Sequence, residues 1–162
     1  MANNIAFPVM HPEEIPDYLY RVHVSGRSRT IYYFDEGFSC TALGRINIRN
    51  YGQLFTAVNN HLDWRCDAPS HLISTFDDRK HALNWAGKYL DRFPGAEAHL
   101  MKIDTDEIKN SVGRRIPIIH AGDIVDQYPE MRPNHVHRKY LNHEVLVLYK
   151  IPADAIVAAT PI

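Results

Sequence analysis

The chain has 162 residues, 45% of them hydrophobic and 23% charged, a balance that suits one globular domain with a sizeable core. Its formal net charge of -1 excludes the strongly basic balance of a general nucleic-acid or membrane-surface binder. No apolar run approaches the ~20 residues of a membrane-spanning helix.

The opening "MANNIAFPVMHPEE" has neither a basic n-region nor an apolar h-region, so no signal peptide is expected. A cytoplasmic protein and a secreted effector whose signal has been removed both fit. The chain stops abruptly at "AATPI", which also fits one domain of something longer. "IPDYLYRVHV" (Ile15–Val24) alternates Tyr18, Tyr20 and Val22 against Leu19, Arg21 and His23, the period of a strand. "SGRSRT" reads as a loop and "IYYF" as a short strand. In "YGQLFTAVNNHLDW", Leu54, Phe55, Val58 and Leu62 recur at helical spacing. "HLISTF" is a strand, and "DDRKHALNWAGKYLDRF" is a helix with acids in its first turn and Arg92 near its end, matching the macrodipole. "AEAHLMKI" is a further strand, and Asp104 with Glu107 forms a capping box for a short helix. "RIPII" is a short strand, "AGDIVDQY" a helical turn or two, and "HEVLVLYKI" the strongest strand of the chain. "PADAIVAA" turns and begins a last strand.

Strands and helices are mixed without regular βαβ units, and neither GxGxxG nor GxxxxGK[ST] occurs. The expected class is α+β, with mostly antiparallel strands and helices at the edges. No linker divides residues 1–162, so they read as a single domain. Cys40 and Cys66 are compatible with one disulfide or with two buried thiols.

Three polar positions stand out. Ser74 and Thr75 close an apolar strand just before a helix; either can cap it, which accounts for one hydroxyl and not for the second. Arg21 lies in mid-strand, facing solvent or offering a fork of donors to a carboxylate or phosphate. Glu144 opens the most apolar strand, as its solvated end or as a rigidly held active-site acid. The preceding "MRPNHVHRKYLNH" carries His135 and His137 at the i,i+2 spacing of a possible metal pair, but no metal is expected.

In their order along the chain these positions resemble the cholera- and pertussis-type mono-ADP-ribosyltransferases. "LYRVHVSGRS" resembles the family's opening LYR-x-x-SR segment, and "EGFSCTALG" followed by "NNHLDWR" resembles the pertussis-type GF…DHL stretch. "LISTFDDRKHA" is similar to its STS segment, and "NHEVLVLYKIPADAI" to its E-V-x-x-L-x-x-IP-x-x-x-I block. The resemblance runs from about residue 19 to residue 156. The segments "RVH" and "ISTF…HALNWA" are also similar to fungal domains related to enterotoxin A chains.

The resemblance implies an ADP-ribosyltransferase-like fold of two roughly perpendicular sheets around a cleft that holds NAD as substrate. It implies cleavage of NAD at the nicotinamide–ribose bond, with ADP-ribose passing to a protein or nucleic-acid acceptor. Hydrolysis, with water as acceptor, and an inactive binding module of the same fold are the alternatives. Because the departing nicotinamide leaves an oxocarbenium-like ribose, Glu144 would be the catalytic carboxylate. Ser74 would orient it and line the nicotinamide pocket, Arg21 would hold a phosphate or ribose, Thr75 would help shape the cofactor turn, and His61 would be a base that activates the acceptor. Two departures qualify the match. Phe76 stands where the third STS residue would be. Asn142 stands two residues before Glu144, where arginine-modifying members carry Glu, which disfavours arginine as acceptor provided Asn142 shares a strand face with Glu144.

Overall fold

The computed structural model describes residues 9–26, 30–42, 50–63, 66–110 and 118–162. The first eight residues, residues 27–29 of the expected loop, Trp64 at the expected helix end and residues 115–117 of "RIPII" lie outside the described residues.

Among the described residues, nine strands and four α-helices follow one another as β1 (Tyr18–Val24), β2 (Thr30–Tyr33), β3 (Gly37–Cys40), α1 (Tyr51–Leu62), β4 (Leu72–Phe76), α2 (Arg79–Arg92), β5 (Ala98–Asp104), α3 (Thr105–Asn110), β6 (Ile118–His120), α4 (Ala121–Gln127), β7 (Glu144–Leu148), β8 (Lys150–Pro152) and β9 (Ile156–Pro161). They form two antiparallel sheets, one of six strands in the order β6-β7-β4-β1-β5-β9 and one of three in the order β2-β3-β8. No helix among the described residues is long and apolar enough to cross a membrane.

The large sheet is covered on both faces. On β4, Leu72 joins a cluster with Leu54, Val58 and Leu62 of α1 and with Ile124 of α4. The next residue, Ile73, points the other way, into a cluster with Leu19, Val145, Val147 and the second sheet's Phe38 and Ile151. Further along, Val22, Val24 and Phe76 pack under Ala82 and Ala86 of α2. This two-sided cover explains why "VLVL" in β7 is apolar at every position rather than at alternate ones: all four residues are buried.

The helices begin where local chemistry dictates. Asn50 caps α1 by accepting a hydrogen bond from the Gln53 N–H at 2.9 Å. Asp78 caps α2 by accepting from the His81 N–H at 2.6 Å. Neither Ser74 nor Thr75 is the cap, because β4 continues through both and the chain needs two more residues to turn. Asp104 accepts from the Asp106 N–H at 2.9 Å at the start of α3.

The expected single strand "HEVLVLYKI" is broken. Tyr149 adopts φ 67°, the left-handed region that bulky residues avoid. Its N–H donates to the His71 carbonyl at 2.9 Å, while its own carbonyl accepts from the Cys40 N–H at 2.8 Å. One residue thus hands the chain from the large sheet, where β7 pairs with β4, to the small one, where β8 pairs with β3. β3 is an element that "GFSC" does not announce, since the segment has neither the β-branched and aromatic run of "IYYF" nor an alternation of its own. Its first residue, Gly37, has φ 86° and lies so close to β8 that a Cβ would sit 2.1 Å from the Ile151 carbonyl oxygen. Cys40 and Cys66 are free thiols.

Candidate active site

β1 and β4 meet only at the pair Tyr20↔Phe76, whereas β1 pairs with β5 along its whole length. Beyond that single pair the two strands part, and the Arg21 side chain occupies the opening. Its Nη1 donates to the Ser74 backbone carbonyl at 2.7 Å and its Nη2 to Thr30 Oγ1 at 2.6 Å. The guanidinium also lies 4.9 Å over the Phe38 ring. Arg21 is buried, not on a solvated strand face. Burial lowers its pKa to about 10, which still leaves it charged at neutral pH. Both bonds depend on a forked head, so Arg21→Lys is expected to cost about 2 kcal/mol, the scale of one lost charge-assisted bond. Thermal denaturation checks this; an unchanged Tm removes Arg21 as the brace of Ser74.

The Ser74 side chain connects two other groups. Its Oγ donates to Glu144 Oε1 at 2.8 Å. A hydroxyl has one proton, so His61 Nε2, 2.8 Å from the same oxygen, must be the donor there. His61 Nδ1 lies 2.6 Å from Ser70 Oγ, which is also 3.3 Å from the Leu72 carbonyl oxygen. Proton donation runs from His61 through Ser74 to the Glu144 carboxylate. Ser70 is buried and is itself fixed, its N–H donating to Thr41 Oγ1 at 3.1 Å and its Oγ accepting from the Leu72 N–H at 3.1 Å.

Register delivers Glu144 to this chain. β4 and β7 pair Ser74↔Leu146 and Phe76↔Glu144, so Ser74 and Glu144 lie on the same face, one step apart diagonally. The Glu144 carboxyl is pushed above the usual carboxylate range by burial, with the Ser74 hydrogen bond pulling the other way.

The structure thus brings Arg21, Ser74, His61 and Glu144 into one hydrogen-bonded set and leaves two other expected residues out. Thr75 points to the opposite face, is fully buried, and donates its hydroxyl to the Val145 carbonyl at 2.7 Å. It ties β4 to β7 and has no surface to offer a cofactor, because strand neighbours alternate. Asn142 does not share a strand face with Glu144, since β7 begins only at Glu144 and Asn142 has helical dihedrals at the end of a 3-10 turn. Its Oδ1 accepts from Arg138 Nη1 at 2.5 Å, and Arg138 is in turn held by Asp126 at 2.7 and 2.8 Å. His61 also differs from its expected role, because both ring nitrogens are engaged inside the protein. Ser70 was not singled out in the sequence; a serine just before an apolar strand carries no signal of its own.

His135 and His137 diverge. His135 Nε2 lies 3.0 Å from Asp63 Oδ1 at the end of α1, while His137 Nδ1 accepts from the Lys139 N–H at 3.2 Å. Among the described residues no group of three or more His, Cys, Asp or Glu could hold a metal ion.

The model of a family described as "Domain of unknown function (DUF7587)" matches residues 14–162. No curated protein matches the chain. Among solved structures it is similar to EcPltA, with a TM-score of 0.57 and 15% identity over 90% of this chain and 75% of that one. At that identity the likeness is one of fold.

Proposed function

The chain belongs to the DUF7587 family, and from its site we propose that it cleaves NAD at the nicotinamide–ribose bond and transfers ADP-ribose to a macromolecular acceptor other than arginine. The observation that carries this reading is the hydrogen-bonded set in which Arg21 braces the Ser74 backbone and Ser74 presents its hydroxyl to Glu144. A carboxylate held by a serine, which is itself fixed from both sides, suits a reaction whose transition state builds positive charge on a ribose. The sequence resemblance to mono-ADP-ribosyltransferases supports the same substrate, and the fold likeness to EcPltA agrees with it.

Water is the second acceptor the site favours. Asn142, expected to meet the acceptor, is occupied by Arg138 instead, so nothing at that position selects a macromolecule over water. The deciding experiment measures nicotinamide release from NAD by the purified protein, with and without cell lysate, together with label transfer from NAD to lysate macromolecules. Release with transfer supports the transferase, and release without transfer supports the glycohydrolase. No release in either condition overturns both.

Agmatine is expected to be a poor acceptor. Asn142→Glu should not improve it, because the new carboxylate would pair with the Arg138 guanidinium rather than with an incoming one. Incorporation of labelled ADP-ribose into agmatine by both forms checks this. A clear gain in the variant would mean that residue 142 does reach the acceptor.

A further inference from the structure

We propose that His143, oriented by Asp77, is the general base that takes the proton from the attacking acceptor; this rests on the NAD-cleaving reading above. His143 immediately precedes Glu144. Its Nδ1 lies 2.8 Å from Asp77 Oδ1, and the Asp77 N–H donates to the His143 carbonyl at 3.0 Å. The residue leaving β4 and the residue entering β7 are therefore clamped to each other, one position along the chain from Glu144. An imidazole whose Nδ1–H points at a carboxylate keeps its basic lone pair on Nε2, on the other side of the ring. The His143 side chain is 44% exposed, so that nitrogen can be approached.

The other histidines nearby are less suited. His61 has both nitrogens tied to serines. His120 places Nε2 3.0 Å from the Asn142 carbonyl and accepts the Asp123 N–H on Nδ1 at 3.3 Å, so it too is committed. His81 of α2 lies against the His143 ring with centroids 4.9 Å apart and is pushed down by burial and by His143 itself, which makes it a weaker base. The charged and titratable groups that bear on His143 are thus Asp77 and Asp78 before α2, His81 on α2, His120 before α4 at 3.8 Å from Asp77, Glu144 beside it, and Arg138 one residue beyond through Asn142.

In the step, the acceptor's O–H, S–H or N–H group attacks C1′ of the ribose. The C1′–N bond breaks and its electron pair goes to the nicotinamide ring nitrogen, which becomes neutral. The acceptor's proton passes to His143 Nε2 and then to solvent. With water as acceptor the same balance gives ADP-ribose, so the assignment can be tested without knowing the macromolecular target.

The test follows nicotinamide release by the full chain from about pH 5 to pH 9, across the imidazole range, for wild type, His143→Gln, Asp77→Asn and Glu144→Gln. The wild-type rate should fall on the acid side as the base is protonated. His143→Gln should be slower by about 100-fold at neutral pH, the low end for general-base catalysis, and its imidazole limb should vanish. Asp77→Asn should also slow release, though by less, because the imidazole is then no longer held in one orientation by the 2.8 Å contact. Should His143→Gln melt early, the rate of Asp77→Asn decides the matter. A normal rate and limb in both variants, with Glu144→Gln inactive, overturns the base and leaves the NAD reading standing. A wild type that releases no nicotinamide overturns both.

Discussion

Glu144→Gln should lower NAD cleavage by at least about 100-fold, equal to about 2.7 kcal/mol of barrier at 1.36 kcal/mol per decade. Gln keeps the shape and can still accept from Ser74 Oγ, so the His61–Ser74 contacts survive; what is lost is the negative charge that the proposed reaction would set against the developing oxocarbenium. The same variant makes a second prediction, of opposite sign, on stability. Burial raises the carboxyl's folded-state pKa above its unfolded value. Such a group contributes stability below the unfolded pKa, and that contribution is lost as pH rises through the folded one. Once ionised, Glu144 is therefore a net burden on the fold, so at a pH that ionises it Glu144→Gln should melt at or above the wild-type temperature. The advantage should shrink as pH falls and the carboxyl takes up its proton. Activity retained within a few fold sinks the catalytic assignment. A variant that melts well below wild type at a pH that ionises Glu144 would show that the charge is instead a structural partner.

Gly37→Ala should be the most damaging single methyl group near the site. At φ 86° an alanine pays the left-handed cost of roughly 1–2 kcal/mol. Its Cβ would also meet three backbone atoms of β8 and the turn after it, at 2.1, 2.6 and 2.7 Å from Ile151 O, Ala153 N and Pro152 C. Backbone cannot rotate away as a side-chain tip can, so the overpacking adds about 1–3 kcal/mol. A loss of about 3 kcal/mol in all corresponds to a fall in Tm of roughly 10 °C at this chain length. The consequence reaches the site because β3 also carries Phe38, whose ring lies under the Arg21 guanidinium. Calorimetry with and without NAD tests the prediction. A melting temperature within a degree or two of wild type would mean that β3 and β8 do not approach as closely as described.

Much of this molecule is legible locally. Leu54, Val58 and Leu62 mark the buried stripe of α1, the acids after Phe76 mark the start of α2, and the alternation around Arg21 marks β1. Those signals depend on residues two to four positions apart, which a helix or strand brings together whatever the rest of the chain does. Arg21, Ser74, His61 and Glu144 could also be named beforehand, because their residue types and order resemble a known pattern. Their contacts could not. Ser74 and Glu144 are 70 residues apart, and they meet only because β4 and β7 pair in one register; a slip by a single residue would turn Glu144 to the opposite face. The same tertiary facts decided the failures. Thr75 is hidden because the second sheet covers that face, and Asn142 turns away because Arg138 holds it before β7 begins. "EVLVLYKI" splits at Tyr149 because two sheets claim its halves. By itself the sequence determined most of the helices and strands and which residue types the candidate site would draw on, since short-range periodicity and residue type are local properties. Which oxygen faces which nitrogen was left to strand register and to the packing of one sheet on the other, and both are set by contacts far apart in the chain.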